Sequence, residues 1–312
     1  MKIKFLLRII GPIIFLLLIY FYVDPAQLKQ IILRLKFHFF VLSVILIPAL
    51  VFIRSLRWKK ILKKIEVHYS TWKCFRIYFV GLVTMMVVPT IGTFIKAIYP
   101  KQDGHGLINP VLSIIFDKFF DYLLPAVFGL TSAVLIMLKI QSNLSLVVLL
   151  LSACIVFFPA KKAIVFFSTR MVPNRFKKLL ENKGWDLKEK VAEMERALDW
   201  KIYILSLAGY IVYYLTVYFL CQSLSIGLNF SEVVLIESVT SVIAFIPVSL
   251  FGIGIKDVGL VAAFKIFGHT PEEAIALSLT FLLLRIVVVL MGSIFWFMDP
   301  PPITEIKQVK DI

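Results

Sequence analysis

Long apolar runs separated by short basic ones organise this chain. Phe5 to Tyr22, Phe37 to Ile53, Ile108 to Leu138, Leu144 to Phe167, Lys201 to Leu224 and Ala274 to Phe297 each approach or exceed the roughly 18 apolar residues of a membrane span. Asp24-Pro25 ends the first run, and Ala26 to Lys36 reads as a short helix lying along the outer interface. Lys2, Lys4 and Arg8 precede the first run as they would in a signal peptide. Tyr20 to Val23 offers no small-residue cleavage site, so an uncleaved span is expected.

Two further apolar stretches are interrupted. VVPTIGTFIK places Pro89 and Gly92 ahead of Lys96, and IPVSLFGIGIKDVG places Pro247, Gly252 and Gly254 ahead of Lys256 and Asp257. Proline removes a backbone donor, and glycine permits angles that other residues resist. Broken backbone at membrane depth is tolerated only where protein buries it or a polar cavity meets it.

Basic residues set the expected sidedness. Arg54, Arg57, Lys59, Lys60, Lys63 and Lys64 mark a cytoplasmic cluster, and Lys161 to Lys201 is expected to be cytoplasmic as well. Counting spans back from the second puts both Arg76 and Lys101 inside. The 24 residues between them are too few for two crossings, which need about 40 residues at ~1.5 Å rise each. The segment 75–100 is therefore expected to dip in and return. The same count makes 231–267 a second hairpin, entering from outside. Pro89, Gly92, Lys96, Gly104-His105 and a long span recur in order as Pro247, Gly252, Lys256, Gly268-His269 and a long span.

The expected fold is thus an all-α polytopic membrane protein, one integral membrane domain over 1–312. It has about six full spans plus two oppositely facing re-entrant helical hairpins in an inverted repeat, 37–138 and 201–297. Both termini are expected on the cytoplasmic face of the cell membrane. Two ordinary proline kinks, giving eight crossing segments, are the rival topology.

Composition agrees with a membrane assignment: 60% of residues are hydrophobic and 17% charged, against about half and a quarter in soluble domains. The formal charge of +15 follows from basic cytoplasmic loops and suits anionic headgroups. No basic domain stands apart from the spans, which argues against nucleic-acid binding. Cys74, Cys154 and Cys221 are far apart and match no metal or redox spacing, and the four histidines are equally scattered, so neither metal nor cofactor is expected. Between 161 and 200, Leu187, Val191, Met194 and Leu198 form a helical stripe, with Asp186 and Glu189 resembling a capping box. That segment reads as an amphipathic cytoplasmic helix on the inner leaflet, a solvated linker helix being the alternative.

Charges inside the apolar runs are the candidate chemistry, because each costs at least about 2.5 kcal/mol at the bilayer centre. Asp117, Lys118 and Asp121 lie within one span, Asp117 and Asp121 four apart on one helical face. Arg285 lies midway along the last span, Glu237 on the entering arm of the second hairpin, and Lys96, Lys256 and Asp257 on the exit arms. Half-helices that begin after a break aim free N–H groups inward. With Lys96, Lys256 and Arg285 nearby, such a site suits an anion such as a lipid phosphate. Asp117, Asp121, Glu237 and Asp257 then balance charge or carry the coupling ion. Internal ion pairing, for example Arg285 with Asp121 or Glu237, is the structural alternative. Trp58, Trp72 and Trp296 are expected as interface anchors, and His105 and His269 as loop residues.

Arg54-Ser-Leu-Arg57-Trp58, the Pro89–Gly92–Lys96 break, Asp117-Lys118 and the Pro247–Gly252–Gly254 break together resemble the flippase-like transmembrane domain of the lysylphosphatidylglycerol synthase family, from about Phe37 to Phe297. The resemblance implies movement of lipids or lipid-linked intermediates between leaflets, beside a headgroup-modifying or glycosyl-transferring enzyme. It adds Arg54 and Arg57 to the substrate-binding candidates Lys96, Lys118, Lys256 and Arg285. Familiar relatives carry the transferase as a fused soluble domain, and this sequence reads as a stand-alone form whose transferase would be a separate partner. The resemblance also implies arginine where Lys96, Lys118 and Lys256 stand and glutamate where Asp257 stands. Lysine keeps the charge but loses bidentate phosphate recognition.

Four functions follow: a translocase for an anionic phospholipid, glycolipid or polyprenyl-phosphate-linked lipid, a membrane enzyme acting on lipid headgroups with Asp117, Asp121 and a metal, an ion-coupled exporter of small solutes, or a scaffold for a lipid-modifying transferase. The absence of an Asp-rich metal motif, a Ser/His or Cys/His grouping and a nucleotide loop argues against an enzyme.

Overall fold

The computed structural model describes residues 13, 15–87, 92, 94–140, 142–156, 189, 191–192, 199–244 and 254–300. Pro89, Pro247 and Gly252 lie outside them, as does most of the expected amphipathic stretch 187–198. Among the described residues the regular structure is helical and no strand occurs.

Among the described residues, four helices are long and apolar enough to cross a membrane: α3 (Phe37–Lys64), α6 (Ile108–Met137), α8 (Trp200–Ser223) and α11 (Pro271–Met298). The shortest has 24 residues, about 36 Å at ~1.5 Å per residue against a hydrocarbon core of ~30 Å. Earlier in the chain, α1 (Phe15–Tyr22) and α2 (Pro25–Leu33) meet at 103°. Asp24 makes that corner. Its carboxylate accepts the Ala26 N–H at 2.8 Å, and Pro25 opens the new helix, where a missing N–H costs nothing. The apolar helix α7 (Leu144–Val156) represents part of the expected span that starts at Leu144.

The helix of the second apolar run does not end at Ile53. Helix α3 continues to Lys64, because Val51, Ser55, Trp58, Ile61 and Leu62 carry a buried stripe at helical spacing through it. Arg57 and Trp58 sit on that stripe and are buried. Trp58 is therefore a core residue, contrary to its expected role as an interface anchor.

Both interrupted stretches fall between described helices. The first follows α4 (Thr71–Val87) and leads through a 3₁₀ turn, Ile95–Ala97, into α5 (Ile98–Gln102). The returning chain lies back along α4: a Cβ on Gly92 would stand 2.0 Å from the Met85 nitrogen, and one on Gly81 would stand 2.8 Å from Lys96 Cγ. The second joins α9 (Phe230–Ile243) to α10 (Ile255–Ile266), and these two helices pack against each other. With 14 and 12 residues, they reach about 21 and 18 Å, so neither alone crosses the core.

Local chemistry sets their ends. Asn229 and Glu232 form a reciprocal capping box at the start of α9. Gly254, with φ of +115°, starts α10, and its N–H donates to Asp257 Oδ2 at 2.6 Å.

Packing divides the chain into two units. The first comprises Met1–Ile47, Leu124–Cys154 and Ile211–Ile286 and includes α9 and α10. Within it, Gly129 of α6 faces Ser238 and Val242 of α9, and Phe128 meets Tyr214 of α8 at 6.3 Å between ring centres. The second comprises Pro48–Leu123, Ile155–Tyr210 and Val287–Ile312 and includes α4 and the return after it. Within that unit, Phe75 and Phe79 pack on Phe295, and Trp296 lies against Ile95 and Ile98.

Candidate functional site

Each unit contains one buried charge cluster beside a broken segment. The cluster in the second unit is built on Asp117 and Asp121, one turn apart on α6. Arg57 of α3 joins them: Nε donates to Asp117 Oδ1 at 2.8 Å, and Nη2 donates to Asp121 Oδ1 at 2.8 Å and to the Asp117 carbonyl at 3.0 Å. Its Nη1 donates to Ser206 Oγ of α8 at 3.3 Å. From beyond the first break, Lys96 Nζ reaches Asp117 Oδ2 at 2.9 Å, an oxygen that also accepts from Tyr78 OH at 3.1 Å. The same ammonium lies 3.9 Å from the centre of the Tyr78 ring and 5.2 Å from that of Trp58, a face-on arrangement that stabilises a desolvated cation. Trp58 is held in turn by its Nε1–H bond to Ser113 Oγ at 3.2 Å.

Asp117 is fully satisfied by this arrangement, whereas Asp121 is surrounded by excess positive charge. Besides Arg57 it has Lys118 Nζ at 3.4 Å and Arg54 within electrostatic range. Arg54 is half-buried and makes no hydrogen bond or ion pair with a described residue. The cluster thus sets four cations, Arg54, Arg57, Lys96 and Lys118, against two carboxylates, with the surplus around Asp121.

In the first unit, Glu237 of α9 accepts from Lys256 Nζ of α10 and from Tyr213 OH of α8, the latter at 2.5 Å, both on Oε1. Lys256 also lies 4.9 Å from the centre of the Phe281 ring. Asp257 is not the partner of Lys256. It caps α10 and accepts from Ser278 Oγ at 2.6 Å. Arg285 is half-buried and pairs with neither Asp121 nor Glu237. Tyr213, Asp257 and Glu237 are its electrostatic neighbours within this unit. Here two cations face two carboxylates.

All ten charged candidates therefore fall into these two groups: Arg54, Arg57, Lys96, Lys118, Asp117 and Asp121 in one, Lys256, Arg285, Glu237 and Asp257 in the other. Gly92 and Gly254 flank the broken segments beside them. Tyr78, Ser206, Tyr213 and Ser278 complete the clusters and carry no distinguishing sequence signal, since tyrosine and serine recur throughout the apolar runs.

The transmembrane-region model of lysylphosphatidylglycerol synthases matches residues 8–292. The chain belongs to that family. A UPF0104 membrane protein of Pyrococcus horikoshii is 26% identical over 309 residues, covering 89% of this chain and 91% of that protein. No solved structure matches the chain. This member of the lysylphosphatidylglycerol synthase transmembrane family is a multi-pass helical membrane protein with two internal charge clusters, and the match extends across all ten charged candidates.

Proposed function

We propose that this chain is a translocator, not an enzyme, which moves an anionic phospholipid, glycolipid or polyprenyl-phosphate-linked lipid between leaflets. The observation that carries this reading is the cation surplus around Asp121. A half-buried arginine and lysine with no full counter-charge favour the arrival of an anion, and a guanidinium suits a phosphate. Arg54 and Lys118 take the headgroup at one stage of its passage in this reading. Arg57, Lys96 and Asp117 form the frame that holds them. The two broken segments act as re-entrant hairpins of an inverted repeat, which is the usual setting of a transport site. The protein sits in the cell membrane with both termini cytoplasmic, and a separate glycosyltransferase or headgroup transferase supplies or uses its lipid.

The test is reconstitution into vesicles carrying a fluorescent anionic lipid in one leaflet. Wild-type protein is expected to equilibrate the leaflets, and Arg54→Gln with Lys118→Gln is expected to stop this without unfolding. Headgroup turnover without transbilayer movement would replace the reading with an enzyme, and solute uptake without lipid movement with an exporter.

A further inference from the structure

The balanced cluster in the first unit has a feature that the anion site in the second lacks. Glu237 is 1% exposed, and its two oxygens are unequal. Oε1 receives both Lys256 and Tyr213, while Oε2 is buried and has no hydrogen-bond partner among the described residues. A carboxylate oxygen held out of solvent without a donor is disfavoured far more than the same oxygen in a neutral carboxyl group. Beside it, the Arg285 guanidinium makes no hydrogen bond or ion pair among the described residues. This cluster holds an acceptor without a donor and a donor set without an acceptor.

The groups that face Glu237 are Tyr213, Tyr214 and Cys221 from α8, Lys256 and Asp257 from α10, and Arg285 from α11. Helix α6 brings no titratable side chain to this unit within Leu124–Met137. Tyr214 is occupied with Ser238 at 2.7 Å, and Asp257 is held by the Gly254 N–H and Ser278. Glu237 is therefore the carboxyl group whose charge can change with the least loss of structure.

We propose that Glu237 is the coupling carboxyl of proton-driven lipid movement. A proton from water adds to Oε2 and leaves Glu237 neutral. Lys256, still an ammonium, and Arg285 are then released to hold one phosphodiester anion. With the proton bound, the cluster has one positive charge in excess, which a single phosphodiester cancels. Return of the proton to water on the other side restores the Lys256–Glu237 pair and expels the anion. One proton and one negative charge cross together, so the cycle is electroneutral. This rests on the translocation reading above and adds its driving force.

The test uses the full chain in vesicles containing fluorescent phosphatidylglycerol, with an imposed pH gradient. The expected result is a steady-state leaflet ratio that shifts about tenfold per pH unit, as one proton per lipid requires, and that ignores a potassium–valinomycin membrane potential. In Glu237→Gln the ratio is expected to be the same with and without the gradient. Separately, infrared difference spectra of the purified protein should show a buried carboxylic acid band on acidification, lost in Glu237→Gln. A wild-type ratio indifferent to the gradient, a ratio that follows the potential, a Gln variant that still follows the gradient, or a missing wild-type band each overturns the proposal. Wild-type protein that shows the band but moves no lipid supports protonation at Glu237 and overturns the translocation reading.

Discussion

Arg57 Nε and Asp117 Oδ1 stand 2.8 Å apart, with side chains 2% and 0% exposed. A pair this deeply buried is a weak source of net stability while intact, but removal of one partner leaves the other charged, desolvated and alone. Asp117→Asn deprives both Arg57 and Lys96 of a counter-charge and is expected to cost about 3–5 kcal/mol, read from thermal unfolding in detergent. Arg57→Lys keeps the charge but loses the fork that meets Asp117 and Asp121 together, so it should also destabilise. An unfolding midpoint for Asp117→Asn equal to wild type would show that the pair does not hold these helices.

Arg54 makes the contrasting case, one turn earlier on the same helix. It is half-buried and pairs with no described residue, so Arg54→Gln is expected to change stability by no more than about 0.5 kcal/mol. Lipid movement should nevertheless fall steeply, because the surplus charge around Asp121 is reduced. Stability and transport measured on the same preparation separate the two arginines: loss of both at Arg57, loss of transport alone at Arg54.

How much of this was legible in the sequence depends on whether the signal was periodic or tertiary. Asp117 and Asp121 share a face because residues four apart in a helix always do, and both breaks announce themselves in proline and glycine. Arg57 was harder to place. It sits among Arg54, Lys59, Lys60, Lys63 and Lys64, and that composition reads as a cytoplasmic cluster. Only the interleaved Trp58, Ile61 and Leu62 reveal a helix with one buried face. Partner choice was not legible. Asp257 neighbours Lys256 in sequence, yet successive helical residues point apart, so Lys256 reaches α9 while Asp257 turns back to cap its own helix.

The first break makes a steric demand at Gly92. An added Cβ would lie 2.0–2.4 Å from backbone atoms of Thr84 and Met85, and backbone cannot step aside as a flexible side chain does. Gly92→Ala is expected to displace the return and with it Lys96, at a cost of about 1–3 kcal/mol. Gly104→Ala serves as a control, since its Cβ would meet nothing within 4 Å and only its φ of +89° is strained. Thermal unfolding of the two variants should rank Gly92→Ala well below Gly104→Ala.

Outside the spans, Asp103 accepts from Tyr69 OH at 2.5 Å and Lys73 Nζ at 2.7 Å. Its slight burial pushes the carboxyl upward, but the bonds from Lys73 and Tyr69 outweigh that and hold it below its ordinary value. A carboxyl lowered in the folded state stabilises the fold above its unfolded value, about 3.9. That contribution is lost as pH falls through the lowered one. Asp103→Asn should therefore reduce stability at neutral pH and flatten the acid side of the unfolding profile. Because Asp103 is exposed, the effect should be small and should shrink in high salt. An acid limb identical in the two proteins would rule this contact out as a contributor.

The proposed inverted arrangement of the two breaks makes a prediction about sidedness. The charge count along the chain predicts that the residues after the first break lie inside the cell and those after the second outside. Gln102 and Thr270 are exposed and follow the respective breaks, so a single cysteine at each reports the two positions. The background needs little change: Cys74 and Cys221 are buried and Cys154 is exposed, so Cys154→Ser removes the main competing thiol. A membrane-impermeant maleimide applied to intact cells is expected to label Thr270→Cys and to leave Gln102→Cys unmodified until the membrane is opened. Two ordinary kinked spans in place of hairpins would add a crossing between Arg76 and Lys101, move Gln102 to the face opposite the basic end of α3, and break this pattern. Labelling of both cysteines from the same side would exclude an inverted pair of hairpins, whatever lipid the protein carries.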